Sequence, residues 1–238
     1  FPVTQVEATG VNTPDDLAAV SDAIRPRVSI VIPAYNEARF IGTLLERIKA
    51  VDISSLGFER EIIVVDDCSK DETAAIVERI DGVTLVRMPV NGGKGRAVRE
   101  GIARASGALI PIQDADLEYD PEDYKPMLEA LLAGGADIVY GSRYMHAGKH
   151  AQQSLAAYLG GRSLSVIAYA FTGRYLTDTV TAYKLYPRPL LVDMDLQTTG
   201  FELDHEMTAK ALSRGLKIVE VPVSDFPRSR AGGKKIGV

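Results

Sequence analysis

Acidic side chains follow three of the apolar, β-branched segments in this chain. Glu37 comes shortly after the first segment, Asp66 and Asp67 follow the second, and Asp114 and Asp116 follow a later one. Carboxylates that lie close together repel one another unless a cation or a ligand compensates their charge. If these segments are parallel strands, their carboxyl ends meet at the sheet edge where open α/β sheets bind ligands. The pattern predicts a polar binding site there, although each acid taken alone is typical of a turn.

The segment Asp114-Ala115-Asp116 predicts a divalent metal site. Residues i and i+2 of an extended segment point the same way, so both carboxylates can face one ligand. Carboxylate oxygens suit Mg²⁺ or Mn²⁺, and these ions also bind phosphate oxygens. Glu118 repeats the spacing. We therefore expect Asp114 and Asp116 to be metal ligands, with Glu118 either a third ligand or an exposed loop acid.

A glycine-rich segment, Asn91-Gly-Gly-Lys-Gly-Arg96, opens a predicted helix. Glycines at the start of a helix expose backbone N–H groups to an anion, and Lys94 adds a positive charge. The spacing is not that of a P-loop, and the first strand does not lead into a dinucleotide-binding G-x-G-x-x-G motif. The segment therefore indicates either a phosphate-binding loop of another kind or a glycine-rich turn with a solvated lysine.

Composition excludes several classes of protein. The 238 residues include 27 Lys+Arg and 32 Asp+Glu, and the net charge of −5 argues against a generic nucleic-acid binder. The single cysteine, Cys68, excludes an intramolecular disulfide framework and a Cys-rich zinc site. No segment approaches the ~20 apolar residues that a membrane span needs. Because the chain begins at Phe1 rather than Met, we expect both ends to be trimmed.

The elements that must position these residues alternate between strand and helix patterns. Strands are predicted at residues 28–33, 61–66, 83–87, 108–113 and 137–140, and helices at 37–50, 71–79, 94–105 and 121–133. This alternation predicts an α/β fold with a mainly parallel sheet flanked by helices. Ser69 with Glu72 has the spacing of a capping box, and Asp120 before Pro121 is typical of an N-cap.

The second half of the chain has a looser pattern. A helix or a broken pair of helices is predicted at residues 155–171, a strand at 182–186, a helix at 204–214 and a last strand at 216–222. Four basic residues of this half are candidates for phosphate binding because Arg binds phosphate bidentately and Lys supplies charge; they are Arg143, Arg162, Arg228 and Lys234. The alternative for the C-terminal ones is a solvated basic tail.

The motifs together resemble those of the inverting family 2 glycosyltransferases. They are Pro33-Ala-Tyr-Asn-Glu37, Asp66-Asp-Cys-Ser69, Asn91-Gly-Gly-Lys-Gly95, Gln113-Asp-Ala-Asp116, Gly141-Ser-Arg143 and Thr177-Asp-Thr-Val-Thr-Ala-Tyr-Lys184. Within that family the chain most resembles the dolichyl- or polyprenyl-phosphate mannosyl- and glucosyltransferases. The resemblance implies a GT-A fold, a Rossmann-like α/β sheet with a C-terminal acceptor-side elaboration. We expect an N-terminal arm or short helix at residues 1–26 and one catalytic domain at 27–238, with a nucleotide-sugar-binding half (27–140) and an acceptor-binding half (141–238).

The resemblance also implies a role for each candidate residue. The nucleotide-sugar would be bound by Pro33, Tyr35, Glu37, Asp66, Asp67, Lys94, Asp114, Ala115 and Asp116, with Asp66 or Asp67 on the base or ribose. Asp114, Asp116 and Glu118 would hold Mg²⁺ or Mn²⁺ against the diphosphate. Arg143, Arg162, Arg228 and Lys234 would bind the acceptor phosphate. Asp116 and Asp204 are the candidate catalytic residues.

The implied activity is metal-dependent transfer of mannose or glucose from a GDP-mannose or UDP-glucose type of donor to a polyprenyl phosphate. We expect a cytoplasmic protein with peripheral contact to the cytoplasmic face of the membrane. One alternative is transfer to a hydroxyl of a glycan or metabolite, with Asp204 as the base that such an acceptor needs. Two further alternatives are a nucleotide-sugar-binding module without turnover and a nucleotidyltransferase. The intact acidic residues argue against a module without turnover. The segment Pro33-Ala-Tyr35 argues against a nucleotidyltransferase, which would have a glycine-rich loop after the first strand.

Overall fold

One seven-stranded sheet forms the centre of the computed structural model, which describes residues 26–145, 165, 166, 169, 173 and 175–226. The strands are β1 (Arg27–Ala34), β2 (Glu59–Asp66), β3 (Val83–Arg87), β4 (Leu109–Ile112), β5 (Ile138–Ser142), β6 (Lys184–Pro187) and β7 (Ile218–Pro222). Their order across the sheet is β3-β2-β1-β4-β6-β5-β7. The predicted α/β fold with a mainly parallel sheet is confirmed.

Strand β6 is antiparallel to both of its neighbours, β4 and β5. Its first residue, Lys184, lies opposite Ile112 at the end of β4 and opposite Tyr140 of β5. Because β6 runs the other way, its N-terminal end reaches the edge of the sheet where β4 and β5 end. The reversal therefore brings Lys184 to the edge that carries the predicted site.

Six helices flank the sheet in the described part of the chain. They are α1 (Ile41–Ala50), α2 (Thr73–Glu78), α3 (Lys94–Arg104), α4 (Tyr124–Leu132), α5 (Arg188–Asp193) and α6 (Leu203–Ser213). Two short 3₁₀ turns, Ser54–Leu56 and Pro121–Asp123, precede β2 and α4. The six-residue α5 was not predicted. It directly follows β6 and has too few residues to show the apolar periodicity of a typical surface helix.

Of the two predicted caps, one is wrong and one is confirmed. Ser69 does not cap α2; its hydroxyl accepts a hydrogen bond from the backbone N–H of Asn36, 2.9 Å away, because the loops after β1 and β2 lie side by side. Asp120 caps the 3₁₀ turn before α4, accepting from the N–H of Glu122 at 3.1 Å. The capping patterns thus locate turns in this chain, but tertiary contacts decide which backbone N–H each side-chain oxygen binds.

The core consists of two apolar layers, one on each face of the sheet. One layer packs α1 and α4 against Ile30 and Ile32 of β1, and the other packs α3 and α6 against Val31. Successive side chains of a strand point to opposite faces, which explains this division. Strands that are buried on both faces account for the near-continuous apolar segments in the sequence.

No helix in the described part of the chain is long and apolar enough to cross a membrane. Residues 1–25 of the arm predicted at residues 1–26, and most of the helix predicted at residues 155–171, lie outside the described residues. The division of the chain into residues 1–26, 27–140 and 141–238 stays a prediction.

The contact between α3 and the sheet leads to a stability prediction. A Cβ atom at Gly101 would lie 2.4 Å from Cγ1 of Val31, too close for two carbon atoms. We expect Gly101→Ala to lower the free energy of unfolding by about 1–3 kcal/mol, as overpacking of a core does, measured by urea denaturation.

The matched control is Gly42→Ala on α1, where the nearest atom to a Cβ is Cγ2 of Ile76 at 3.4 Å, an ordinary contact. That change should be neutral or stabilise by up to about 1 kcal/mol, because alanine restricts the unfolded chain. Equal effects of the two substitutions would contradict the tight packing of α3 on β1.

Candidate active site

The loops after β1 and β2 are fastened to each other. The side-chain Oδ1 of Asn36 accepts from the N–H of Lys70 at 2.7 Å, and the N–H of Glu37 donates to Oγ1 of Thr73 at 2.8 Å. Both oxygens of Asp66 accept from the N–H of Ser69 at 3.3 Å. These contacts fix the loop that carries Tyr35 and Glu37 beside Asp66 and Asp67, as the sequence predicts. Pro33 lies within β1, opposite Val65 of β2.

Asp67 holds the glycine-rich segment in place. One of its carboxylate oxygens accepts from the N–H of Gly92 at 2.7 Å and the other from the N–H of Gly93 at 2.8 Å. The amide of Asn91 donates to the backbone carbonyl of Asp67 at 3.0 Å. Both oxygens of Asp67 are thus used within the protein, a role that the sequence did not indicate. The binding of a base or ribose by Asp66 or Asp67 stays a prediction.

The glycine-rich segment also packs against the loop before α6. At Gly93 and Gly95 a Cβ would lie 2.6 Å from the carbonyl oxygens of Thr199 and Thr198, and Gly93 has a φ of +86°. Only glycine satisfies both the close approach and the left-handed backbone. The loop itself is held by Glu206, whose carboxylate accepts from the N–H of Thr198 at 2.9 Å. The start of α3 is therefore rigidly placed.

Four charged side chains alternate in sign at the centre of the site. Nζ of Lys94 lies 2.8 Å from Oδ1 of Asp114 and 3.3 Å from Oδ2 of Asp204. Nζ of Lys184 lies 3.4 Å from the other oxygen of Asp204, Oδ1, and donates to the backbone carbonyl of Asp204 at 2.9 Å. Lys184 is fully buried, and Lys94 and Asp204 nearly so. The sequence predicted three members of this group; Lys184 was not singled out, since a lysine in a short strand pattern gives no signal of burial.

The charges decide the protonation states in this group. Burial raises the pKa of Asp204, but the ammonium groups of Lys94 and Lys184 hold that pKa below its usual value. Burial lowers the pKa of Lys94, but Asp114 and Asp204 outweigh it and raise that pKa well above its usual value. Asp204 is therefore ionised, and each of its oxygens faces the Nζ of a lysine. Burial lowers the pKa of Lys184, and the charge of Asp204 opposes this fall.

Asp114 and Asp116 lie near each other, as the metal prediction requires. Burial raises the pKa of Asp114, and the negative charges of Asp116 and Asp204 add to that rise. Oδ1 of Asp116 accepts from the N–H of Glu118 at 3.1 Å across Leu117, whose φ is +62°. Within residues 26–145 and 175–226, no three carboxylate, histidine or cysteine side chains form a metal cluster. Two carboxylates and a bound diphosphate are nonetheless a donor set that suits Mg²⁺.

Arg143 is the predicted acceptor residue that lies within the described chain. Its Nε and Nη2 donate to the two oxygens of the fully buried Asp178 at 2.7 and 2.9 Å. Asp178 is held in turn by Glu220, whose carboxylate accepts from the N–H of Asp178 at 2.9 Å. The Gly141–Arg143 and Thr177–Lys184 motifs both pointed to this region, but the pairing of Arg143 with Asp178 was not predicted. Arg162, Arg228 and Lys234 lie outside the described residues.

The sheet and its flanking helices have the fold of the GT-A glycosyltransferases. The chain belongs to the glycosyl transferase family 2, whose family model matches residues 29–191. Both the resemblance and the expectation of a glycosyltransferase are thereby confirmed.

Three similar proteins illustrate the range of the family. The chain is 30% identical over 216 residues to a dolichol-phosphate mannosyltransferase of Pyrococcus furiosus, covering 89% of this chain and 60% of that protein. It is 26% identical over 227 residues to a polyprenol monophosphomannose synthase of Mycolicibacterium smegmatis, covering 90% and 83%. The structure of glucosyl-3-phosphoglycerate synthase from Mycobacterium tuberculosis with Mn²⁺, UDP and phosphoglyceric acid matches 94% of this chain and 78% of that one, with a TM-score of 0.66. At 22% identity the last likeness concerns the fold.

The loop before α6 gives a prediction on pH. Burial of Glu206 raises its pKa, but hydrogen bonds from Lys210, Thr198 and the loop N–H groups lower that pKa to about 2. A depressed carboxyl pKa stabilises the fold above the unfolded value of about 4.5, and this contribution disappears as the pH falls toward 2. We expect Glu206→Gln to lose stability at pH 7 and to converge on the parent protein near pH 2, measured by urea denaturation across this range.

Glu46→Gln, at an exposed position of α1, is the control and should follow the parent curve. A constant difference between Glu206→Gln and the parent protein at every pH would show that the carboxylate charge of Glu206 does not hold the loop.

Proposed function

We propose that this chain transfers mannose or glucose from a nucleotide-sugar to a polyprenyl phosphate with inversion at C1, and that the reaction needs a divalent metal. The names of the Pyrococcus and Mycolicibacterium relatives support a polyprenyl phosphate as acceptor. The Mn²⁺ and UDP in the neighbouring structure support a metal and a nucleotide-sugar of the GDP-mannose or UDP-glucose type.

The arrangement of Asp204 is the observation that favours a phosphate acceptor over a hydroxyl. A hydroxyl is a poor nucleophile near neutral pH and needs a base, whereas a phosphate monoester is already ionised. Asp204 is the carboxylate that would serve as the base, yet its two oxygens face Lys94 and Lys184. Its lowered pKa makes it a weak proton acceptor. The acceptor that this site suits is therefore one that needs no deprotonation.

The donor would lie along the edge formed by the loops after β1, β2 and β4. Pro33, Tyr35 and Glu37 would line the nucleoside pocket beside Asp66. Asp114 and Asp116 would hold Mg²⁺ or Mn²⁺, with Glu118 near them, and the ion would neutralise charge on the diphosphate. Lys94, at the start of α3, would place its ammonium group beside the same diphosphate.

The reaction would proceed by direct displacement at C1 of the hexose. An oxygen of the acceptor phosphate forms the new bond to C1 while the bond from C1 to the diphosphate oxygen breaks, and the nucleoside diphosphate leaves with that electron pair. Lys94 stabilises the developing charge because its ammonium group is held in place before the reaction begins. No proton transfer is required in this step.

The acceptor phosphate would be bound by Arg143, with Arg162, Arg228 and Lys234 as further candidates. Asp178 orients the guanidinium of Arg143, and the two nitrogens that bind Asp178 use only part of its five N–H donors. The exposed rings of Phe201 and Phe226 adjoin the site, since Phe201 lies 5.8 Å from Nζ of Lys94 and the N–H of Phe226 donates to the carbonyl of Glu118. We propose that these rings meet the lipid or the membrane surface.

The test is a transfer assay with a panel of nucleotide-sugars, each with and without a polyprenyl phosphate. We expect release of nucleoside diphosphate to depend on the lipid phosphate, to stop with EDTA and to return with Mn²⁺ or Mg²⁺. Asp116→Ala should abolish transfer. Turnover that does not depend on the lipid phosphate but increases with a sugar or a small hydroxyl acceptor would contradict the proposed acceptor. Full activity of Asp116→Ala in EDTA would contradict the proposed metal dependence.

Asp204→Asn separates the two classes of acceptor by the size of its effect. If Asp204 only orders the two ammonium groups, the loss of its charge should lower kcat about tenfold, the value of one charge-assisted hydrogen bond. Loss of a general base would cost about 10²–10⁴-fold. The measurement is kcat of Asp204→Asn and of the parent protein with the lipid phosphate. A fall in kcat beyond ~10³-fold at unchanged nucleotide affinity would favour the hydroxyl acceptor.

A further inference from the structure

Lys184 is a fully buried lysine at the start of β6 whose ammonium group faces the candidate active site. It lies opposite Ile112, two residues before Asp114, and its Nζ is 5.1 Å from the ring centre of Tyr140. A buried ammonium group is unfavourable unless charges and hydrogen bonds compensate it. The compensation comes from Asp204, through its backbone carbonyl at 2.9 Å and its Oδ1 at 3.4 Å.

The contacts of Asp204 divide between two lysines. Oδ1 faces Lys184 and Oδ2 faces Lys94, so the orientation of the carboxylate determines where the ammonium group of Lys94 lies. Oγ1 of Thr208 also donates to the carbonyl of Asp204 at 2.9 Å, and the hydroxyl of Tyr140 lies 3.1 Å from Oγ1 of Thr208. The first turn of α6 is thereby held on the side that faces β6.

We propose that Lys184 is a positioning residue: it orients the carboxylate of Asp204, which in turn holds the ammonium group of Lys94 beside Asp114. The inference rests on the proposed function, in which Lys94 stabilises charge on the leaving diphosphate. The four groups alternate in sign and their formal charges cancel. Without Lys184, Asp204 faces Lys94 alone, and Lys94 is drawn toward Asp204 and away from Asp114.

The first test is Lys184→Met, which keeps the length of the side chain and removes its charge. We expect kcat to fall about tenfold while KM for the nucleotide-sugar changes less than about twofold, because the charge of Lys94 acts mainly on the leaving group in the transition state. Lys125→Met is the matched control; Lys125 pairs with Glu122 at the surface near the start of α4, at 3.2 Å, and its loss should leave kcat unchanged.

A double-mutant cycle shows whether Lys184 acts through Asp204. If it does, Lys184→Met combined with Asp204→Asn should be no slower than Asp204→Asn alone, because the carboxylate to be oriented is already neutral. Losses that multiply to about a hundredfold would mean that Lys184 acts independently of Asp204. A folded Lys184→Met protein with unchanged kcat would show that the residue only supports the fold.

Binding of GDP and UDP with Mn²⁺, measured by calorimetry, tests the same arrangement without any acceptor. The free diphosphate carries the charge that develops on the leaving group, so Lys184→Met should weaken its binding several-fold and that of the intact nucleotide-sugar less. If Lys184→Met binds the diphosphate more weakly than the parent protein does, but the parent protein does not use polyprenyl phosphate, the proposed function fails and the positioning role stands. Unchanged diphosphate affinity in Lys184→Met, or no binding of either diphosphate to the parent protein, contradicts the positioning role.

Should Lys184→Met not fold, as judged by thermal unfolding, Lys184→Gln replaces it. The glutamine amide can still donate to Asp204 but carries no charge, so the same fall in kcat and in diphosphate affinity is expected. Lys184→Gln combined with Asp204→Asn removes one charge of each sign, and its thermal stability should lie above that of Lys184→Gln alone. A double variant that is less stable than Lys184→Gln would contradict the charge balance on which the positioning role depends.

Discussion

The balance of charge around Asp204 is the constraint on which the rest of the site depends. Two lysine and two aspartate side chains form a chain of three ion pairs, Asp114–Lys94–Asp204–Lys184, in a largely buried position. Each would be strongly unfavourable there without its neighbours, because burial penalises an isolated charge by several kcal/mol. Removal of any one of them leaves the others uncompensated. These four side chains therefore fix the positions of β4, β6, α3 and α6 relative to one another.

The sheet makes this arrangement possible by bringing distant parts of the chain to one edge. Lys94 begins α3, Asp114 follows β4, Lys184 begins β6 and Asp204 lies in the first turn of α6. Apolar layers on both faces of the sheet fix the elements, while the polar groups lie at its carboxyl edge. The antiparallel direction of β6 is essential, since a parallel strand would place Lys184 at the opposite edge.

Backbone hydrogen bonds give the donor side of the site a similar rigidity. Asp67 binds the N–H groups of Gly92 and Gly93, and Glu206 binds the loop that packs against Gly93 and Gly95. Asp67, which the sequence marks as a candidate ligand, thus also serves as a structural acceptor for a loop. A loop held in this way presents Lys94 to a phosphate with little loss of conformational freedom on binding, which favours preorganised electrostatic stabilisation.

The sequence by itself determined the α/β class and placed all seven strands to within two residues at either end. It also placed the acidic and glycine-rich segments at one edge, because apolar periodicity and turn residues act locally. It also identified Asp114, Asp116, Lys94 and Asp204 as candidate site residues. Only the tertiary structure decided that β6 is antiparallel, that Lys184 is buried beside Asp204, and that Asp178 holds Arg143. These features depend on pairings between residues far apart in the chain, and burial and charge compensation arise only once those residues are brought together.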